Sequence, residues 1–430
     1  MRARFQWFLL IGIPLVCLIG VALYYLPPIH ERLAWRIDNI KSQIIYAINP
    51  PEQAVFVPKE QVASIVRATL QALTPTSSPS STATPTVPGP TSTPAPSPTP
   101  TLTPTPIPQS ARLTGIIHEY QKWNNCGPAN LSMALSYWGW KGDQRDTAAY
   151  LKPNERDKNV MPYEMETFVE EKTDLKAIVR VGGDLELLKR FIAAGFPVLV
   201  EKGFEVPGHG WMGHYEVLSG YEDAKSRLTA QDSYIMPDLP VPYDELEAFW
   251  RNFDDIYLVI YPPEREAEVL AILGLQTDEV YNYRYAAQKA SDDIATLTGR
   301  DLYFAWYNRG TNLVKLQDYA GAAEAYDRAF TLYPTIPEKM RPWRMLWYQT
   351  GPYFAYFFTG RYQDVINLAT ETIIHSSEPA IEESFYWRAR AKAALGDTAG
   401  AVDDLRESLK WHPDFAPSVE ELNALGAGIQ

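Results

Sequence analysis

Cys126 stands in the run YQKWNNCGPANLSMALSYWGW, from Tyr120 to Trp140, and is one of two cysteines in 430 residues. After the Gly127-Pro128 pair, apolar residues fall at Leu131, Ala134, Leu135 and Trp138, the i, i+3, i+4, i+7 spacing of one helix face. Proline is tolerated in a first helical turn, where its missing N–H would have no intrahelical partner. The spacing therefore predicts that Cys126 sits at or just before a helix N-terminus. There the unpaired amides and the positive end of the helix dipole favour a thiolate, the form that acts as a nucleophile. Alone, a cysteine beside an apolar helix reads as a small buried hydrophobe. Covalent chemistry requires a base within reach and a group that orients the base.

The sequence offers six histidines. His30 comes just after the first apolar segment, His375 and His412 lie in the helical C-terminal region, and His118 precedes Cys126 in a strand or loop. His209 and His214 remain, both in GHGWMGHYEVLSGY. His214 opens an alternating strand, and a turn at Glu222 to Ser226 leads to a second strand that ends at Asp232, in TAQDSY. A hairpin of this kind returns Asp232 towards His214, where a carboxylate would fix the imidazole tautomer. That geometry favours His214 over His209. Taken singly, His214 also reads as a satisfied strand histidine and Asp232 as a turn former.

The elements that must position these residues fall into five stretches. Phe5 to Leu26 is apolar, uncharged and long enough to cross a bilayer, with Arg2 and Arg4 ahead of it. Residues 1–26 are therefore expected to form an uncleaved transmembrane anchor. Residues 27–73 carry two short amphipathic patterns that suit a juxtamembrane segment. Residues 74–108 hold no charged or aromatic side chain and are dominated by Pro, Thr and Ser, the composition of an extended or disordered linker. Such stalks are commonly glycosylated and extracytoplasmic, which favours the outside for the downstream units, whereas a plain flexible linker leaves the topology open.

Residues 109–263 read as one α+β unit, a helix followed by mostly antiparallel strands, with a glycine-rich loop expected around Lys202 to Gly213. Residues 264–430 are all-α: Trp306, Gly310, Tyr319, Ala322, Tyr326, Ala329 and Pro334 fall at the spacing of a two-helix repeat. A second copy, with an insertion, runs from Trp347 to Ala369, and a third from Phe385 to Pro413. The first copy resembles the tetratricopeptide repeat, which implies a surface for a protein partner or, alternatively, packing against the neighbouring unit.

Composition narrows the partners. A net charge of −13 leaves no basic footprint for nucleic acid. With one cysteine in the first apolar run, there is neither a disulfide framework nor a Cys/His spacing typical of zinc, and no cofactor is expected.

NNCGPA, GHYEVLSGY and AQDSY resemble, in order and separation, the cysteine, histidine and aspartate motifs of the C39-like family of papain-fold peptidases, related to the double-glycine leader peptidases of bacteriocin exporters. The resemblance covers about Ile116 to Pro263. It implies a papain-like α+β fold, Cys126 as nucleophile, His214 as general base and acid, and Asp232 as the orienting residue. The family also places a glutamine before the cysteine as an oxyanion donor. Gln121 matches it, one residue closer than is usual in papain-like enzymes, and Asn125 or the Cys126 amide are the other donors at hand. The combined expectation is a bacterial, membrane-anchored, extracytoplasmic cysteine peptidase acting on a peptide or protein substrate, with the repeats binding substrate or partner. An inactive peptide-binding scaffold, and an acyltransferase using the same acyl-enzyme, are the alternatives.

Overall fold

The computed structural model describes residues 107–206, 210–376 and 378–428. The expected anchor, the juxtamembrane segment and all but the last two positions of the linker lie outside the described residues. Among the described residues, no helix is long and apolar enough to cross a membrane.

Strand β1 (Ser110–Arg112) is followed by three helices, α1 (Cys126–Tyr137), α2 (Gln144–Leu151) and α3 (Pro162–Lys172). Asp143 caps α2 by accepting the Arg145 amide at 2.7 Å, and Pro162 opens α3 where a missing N–H costs nothing. Next come β2 (Lys176–Arg180), α4 (Leu185–Ala193), β3 (Val198–Val206), β4 (Gly210–Glu222), β5 (Arg227–Gln231), β6 (Leu239–Pro242), α5 (Tyr243–Trp250) and β7 (Tyr257–Tyr261). The sheet runs β2-β7-β3-β4-β5-β6, with β1 alongside β4, and the pairings are antiparallel.

Period-two alternation divides each strand between two faces. Val198, Val200, Tyr257 and Val259 join Leu187, Leu188, Phe191 and Ile192 of α4 on one side. Leu199, Leu258 and Ile260 join Leu131, Ala134 and Leu135 of α1 and Met165, Phe168 and Val169 of α3 on the other. The result is a mixed α/β unit in which α1, the helix that Cys126 opens, lies in the core. Helix α1 is more deeply embedded than a one-faced pattern implies: Gly127 through Ser136 are all buried. Its polar residues tolerate this because Asn130, Ser132 and Ser136 find internal partners.

The glycine-rich stretch expected as a loop is instead a hairpin. β3 and β4 pair from Val198 opposite Leu218 to Val206 opposite Gly210, with Lys202 opposite His214. Gly203 and Gly213 provide room there rather than turns. A Cβ at Gly203 would run into Asn252, and one at Gly213 would lie 2.7 Å from Phe253 and 3.0 Å from Tyr348.

The remainder is helical: α6 (Glu266–Leu273), α7 (Glu279–Thr296), α8 (Gly299–Lys315), α9 (Tyr319–Leu332), α10 (Met345–Tyr348), α11 (Gly351–Phe358), α12 (Tyr362–Ile374), α13 (Glu382–Ala394), α14 (Thr398–Trp411) and α15 (Ala416–Ala424). The three repeat copies fall on α8/α9, α11/α12 and α13/α14, and the insertion in the second holds α10. Small residues close the first pair: a Cβ on Gly310 would come within 2.7 Å of the Tyr326 ring.

This helical region shares a core with the sheet. Trp211 of β4 is 1% exposed, stacks on Phe253 with ring centroids 5.7 Å apart, and meets Phe304 at 5.8 Å and Tyr348 at 6.0 Å. The Arg344 guanidinium also donates to the Trp211 carbonyl at 2.7 Å.

Candidate active site

Cys126 is the first residue of α1, partly exposed where the helix behind it is buried. Its amide and those just after it have no intrahelical acceptor, which leaves a positive field at the thiol. The approach to the helix is set by Gln144 at the start of α2. Its Oε1 accepts from the Lys122 amide at 2.8 Å and from Asn125 Nδ2 at 2.9 Å, while its Nε2 donates to the Tyr120 carbonyl at 2.8 Å. Asn125, one of the alternative oxyanion donors, is thus buried and directed at Gln144.

His214 lies near the middle of β4 rather than at its start, and is 3% exposed. Its Nε2 is 3.0 Å from Asp232 Oδ2. Asp232 comes directly after the last residue of β5 and is held by its other oxygen, which accepts the amides of Tyr234 and Ile235 at 2.7 Å each. The remaining ring nitrogen, Nδ1, is the one left for Cys126, whose thiol hydrogen-bonds to His214. The imidazole is stacked on Phe204, ring centroids 4.6 Å apart, which limits its rotation. The structure therefore brings Cys126, His214 and Asp232 together in that order.

Electrostatics favour an ion pair between the first two. Burial pushes the Cys126 thiol up, but its hydrogen bond to His214, the charge of His214, a backbone hydrogen bond at Tyr215 and the Lys152 ammonium together bring it below the ordinary thiol value. For His214, burial favours the neutral ring. The Asp232 charge and hydrogen bond, with Cys126 adding to them, win and push it up to about 10. Asp232 is disfavoured as an anion by burial but is held below the usual carboxylate range by His214 and the two amides.

Gln121 lies beside this group. Its backbone amide donates to the Ser233 carbonyl at 2.8 Å, and its Oε1 accepts from Ser233 Oγ at 2.8 Å, so the Nε2 end is left to donate elsewhere. Ser233 Oγ in turn accepts from Asn130 Nδ2 at 2.9 Å. Asn130 lies one turn into α1 and also donates to the carbonyls of Cys126 at 2.9 Å and Tyr215 at 2.6 Å. One amide thus ties α1 to β4 and to the residue after Asp232.

Sequence reasoning did not find Asn130, Gln144, Ser233 or Lys152. Lys152 is 7% exposed and donates to the Asn124 carbonyl at 2.6 Å, which places a buried cation behind the thiol. His118, set aside by position, is 2.9 Å through Nε2 from the Asp232 carbonyl, a contact to the main chain. His209 lies outside the described residues. Glu201, opposite Tyr215 in the hairpin, is buried near Cys126, and desolvation raises its carboxyl well above the ordinary range.

Residues 106–258 match the model of the Peptidase_C39 like family, and residues 303–336 match that of the tetratricopeptide repeat. The chain carries a C39-like peptidase domain followed by a tetratricopeptide repeat. The C39-like match contains Cys126, His214, Asp232 and Gln121. Aryl-hydrocarbon-interacting protein-like 1 of Pan paniscus is 27% identical over 120 residues, 26% of this chain and 31% of its own length. The same protein of Bos taurus is 26% identical over 121 residues, 26% of this chain and 37% of its own length. The chain thus spans about a third of the length of these curated relatives. A solved structure described as a C39-like peptidase from Bacillus anthracis is 18% identical and covers 35% of this chain and 96% of its own, with a TM-score of 0.29.

Proposed function

We propose that this protein is a cysteine peptidase that hydrolyses peptide bonds through Cys126, His214 and Asp232. The observation that carries the reading is His214 held between the Cys126 thiol and the Asp232 carboxylate, the latter at 3.0 Å. In the resting site the proton resides on His214 and Cys126 is a thiolate. The thiolate attacks the carbonyl carbon of the substrate, and the oxygen that takes up the negative charge is met by the Cys126 amide and by Gln121 Nε2. Collapse of the tetrahedral adduct breaks the C–N bond as His214 gives its proton to the departing amine, leaving a thioester. His214, now neutral, accepts a proton from water as that water attacks the thioester. The acid product leaves, and the thiolate and imidazolium are restored. Throughout, Asp232 holds Nε2 protonated, so that Nδ1 is the nitrogen that exchanges a proton with sulfur and substrate.

The same reading assigns the repeats to substrate or partner binding and the N-terminal segment to anchoring the chain in a membrane with both units outside the cytoplasm. The apolar run at Phe5 to Leu26 and the Pro/Thr/Ser composition of 74–108 support that placement.

A thiol-directed activity probe applied to the full chain is expected to label Cys126, and Cys126→Ala to abolish labelling. A peptide library should be cleaved by wild type and not by His214→Ala. Cleavage that survives His214→Ala would remove the basis of the assignment.

A further inference from the structure

A second cluster of chemical groups lies where the segment between α2 and α3 meets the repeats. Asp157 belongs to that segment, Glu382 is the first residue of α13, and His412 comes directly after α14. One ligating atom from each lies within 4.8 Å of the others, and this is the single such group of three among the described residues. His412 Nδ1 is 3.0 Å from Glu382 Oε1 and 3.8 Å from Asp157 Oδ2. A four-coordinate zinc ion with bonds of ~2.0 Å separates its ligand atoms by roughly 3.3 Å, so small side-chain rotations would suffice.

The observation that points to a ligand is the state of the two acids. Asp157 is 3% exposed and Glu382 5%. Asp157 Oδ1 accepts the Asn159 amide at 3.1 Å, while Oδ2 accepts no hydrogen bond among the described residues, with His412 Nδ1 beyond hydrogen-bond distance. Glu382 Oε1 is met by His412, whereas Oε2 has no donor among the described residues. Each of these little-exposed carboxylates keeps one oxygen that no donor among the described residues meets, which leaves that oxygen to solvent or to a ligand. Glu164 and Glu383 also face this group, so four acids stand against Lys152, Lys158 and His412. Two little-exposed carboxylates from separate parts of the chain that converge on one imidazole suit a cation.

We propose that Asp157, Glu382 and His412 bind a divalent transition-metal ion of the zinc type, which clamps the repeats to the segment beside the nucleophile loop. The mixed nitrogen and oxygen set favours such an ion over calcium, which takes oxygen ligands throughout. The clamp acts on a segment already joined to both sides. Arg156 pairs with Glu378, the Lys158 amide donates to the Ala380 carbonyl at 3.2 Å, and Asn124 Nδ2, two residues before Cys126, donates to the Asp157 carbonyl. No short motif announces these ligands, because they come from three separate parts of the chain. The inference is independent of the peptidase reading.

The test uses the full chain carrying Cys126→Ser, which removes the thiol near this group and leaves only Cys17 in the apolar N-terminal run, after treatment with a chelator. Zinc is titrated by calorimetry, and thermal unfolding is followed with and without it. The expected result is saturable binding of one equivalent and a raised unfolding midpoint. Glu382→Gln and His412→Ala should each weaken binding at least tenfold and abolish the midpoint shift. Absence of saturable binding, or equal binding in both variants, overturns the site and leaves His412 as the counter-ion of the two acids. If neither variant folds, cobalt absorption decides. Visible bands of a nitrogen/oxygen-ligated ion in the Cys126→Ser chain support the site, and their absence overturns it.

Discussion

Replacing Asp232 by Asn keeps the volume of the side chain and removes its charge, 3.0 Å from His214 Nε2. At an effective dielectric of ~20, a unit charge at that distance is worth about 5 kcal/mol to an imidazolium, or roughly four pKa units. This is of the same size as the elevation of His214 to about 10. The geometry adds a second effect. The amides of Tyr234 and Ile235 require an acceptor at the position of Oδ1, so the introduced carboxamide would turn its NH2 towards Nε2. Nε2 must then be the unprotonated nitrogen. The neutral ring's proton moves to Nδ1, where it can no longer receive one from the thiol.

The pH consequences come from the two charged groups. The thiolate is lost as pH falls through the lowered Cys126 value, and the imidazolium is lost as pH rises through about 10. Wild-type reactivity should therefore persist below the ordinary thiol range and fall off only near the upper limit. In Asp232→Asn the upper limb moves down by several units and the thiolate becomes harder to form. Cleavage near neutral pH is expected to drop by ~10²–10⁴-fold, the range of a lost acid–base contribution. Because the substrate sequence is not needed, the rate of Cys126 alkylation against pH is the cleaner assay. Superimposable alkylation profiles for wild type and Asp232→Asn would refute the electrostatic account.

Other expectations rest on the surroundings of the site. Burial pushes the Glu164 carboxyl up to about 7 from 4.5, so between those values the folded chain binds more protons than the unfolded one and stability falls as pH rises. Glu164→Gln keeps an acceptor for the Met161 amide, now 2.7 Å away, and should raise the thermal midpoint at about pH 8 but not near pH 4, the gain being at most ~3 kcal/mol. Gly213→Ala would force Phe253 and Tyr348 apart and should cost ~1–3 kcal/mol by denaturant melts, with activity lowered through the strand that carries His214. Asn130→Asp would set a carboxylate against the Cys126 and Tyr215 carbonyls and should destabilise by ~3 kcal/mol or more. Asn130→Asp with wild-type unfolding would contradict the tie assigned to that amide.

How far the sequence disclosed this arrangement depended on whether the signal was local. Cys126 at a helix start could be read from the Gly-Pro pair and the spacing after it, and Asp232 beside His214 from two short strands joined by one turn. Gln144 and Asn130 carried no such signal. Each is an ordinary polar residue in a helix until the fold brings three acceptors around the Asn130 amide, and two donors and an acceptor around that of Gln144. The glycines between Lys202 and Gly213 were legible as unusual but misread as a loop, because the bulk they avoid comes from Asn252, Phe253 and Tyr348, far along the chain. Trp211 gave no sign of its partners for the same reason.

The division drawn between residues 263 and 264 is not one that water would respect. Trp211 and Phe253 lie on one side of it, Phe304 and Tyr348 on the other, and a large ring deprived of its neighbours exposes ~150–250 Å² of apolar surface. A fragment ending near Pro263 would carry that surface bare, next to the strand that presents His214. The C39-like domain and the first repeat are therefore expected to melt as a single cooperative event, and a ligand that stiffens the repeats to lengthen the lifetime of the strand that carries His214.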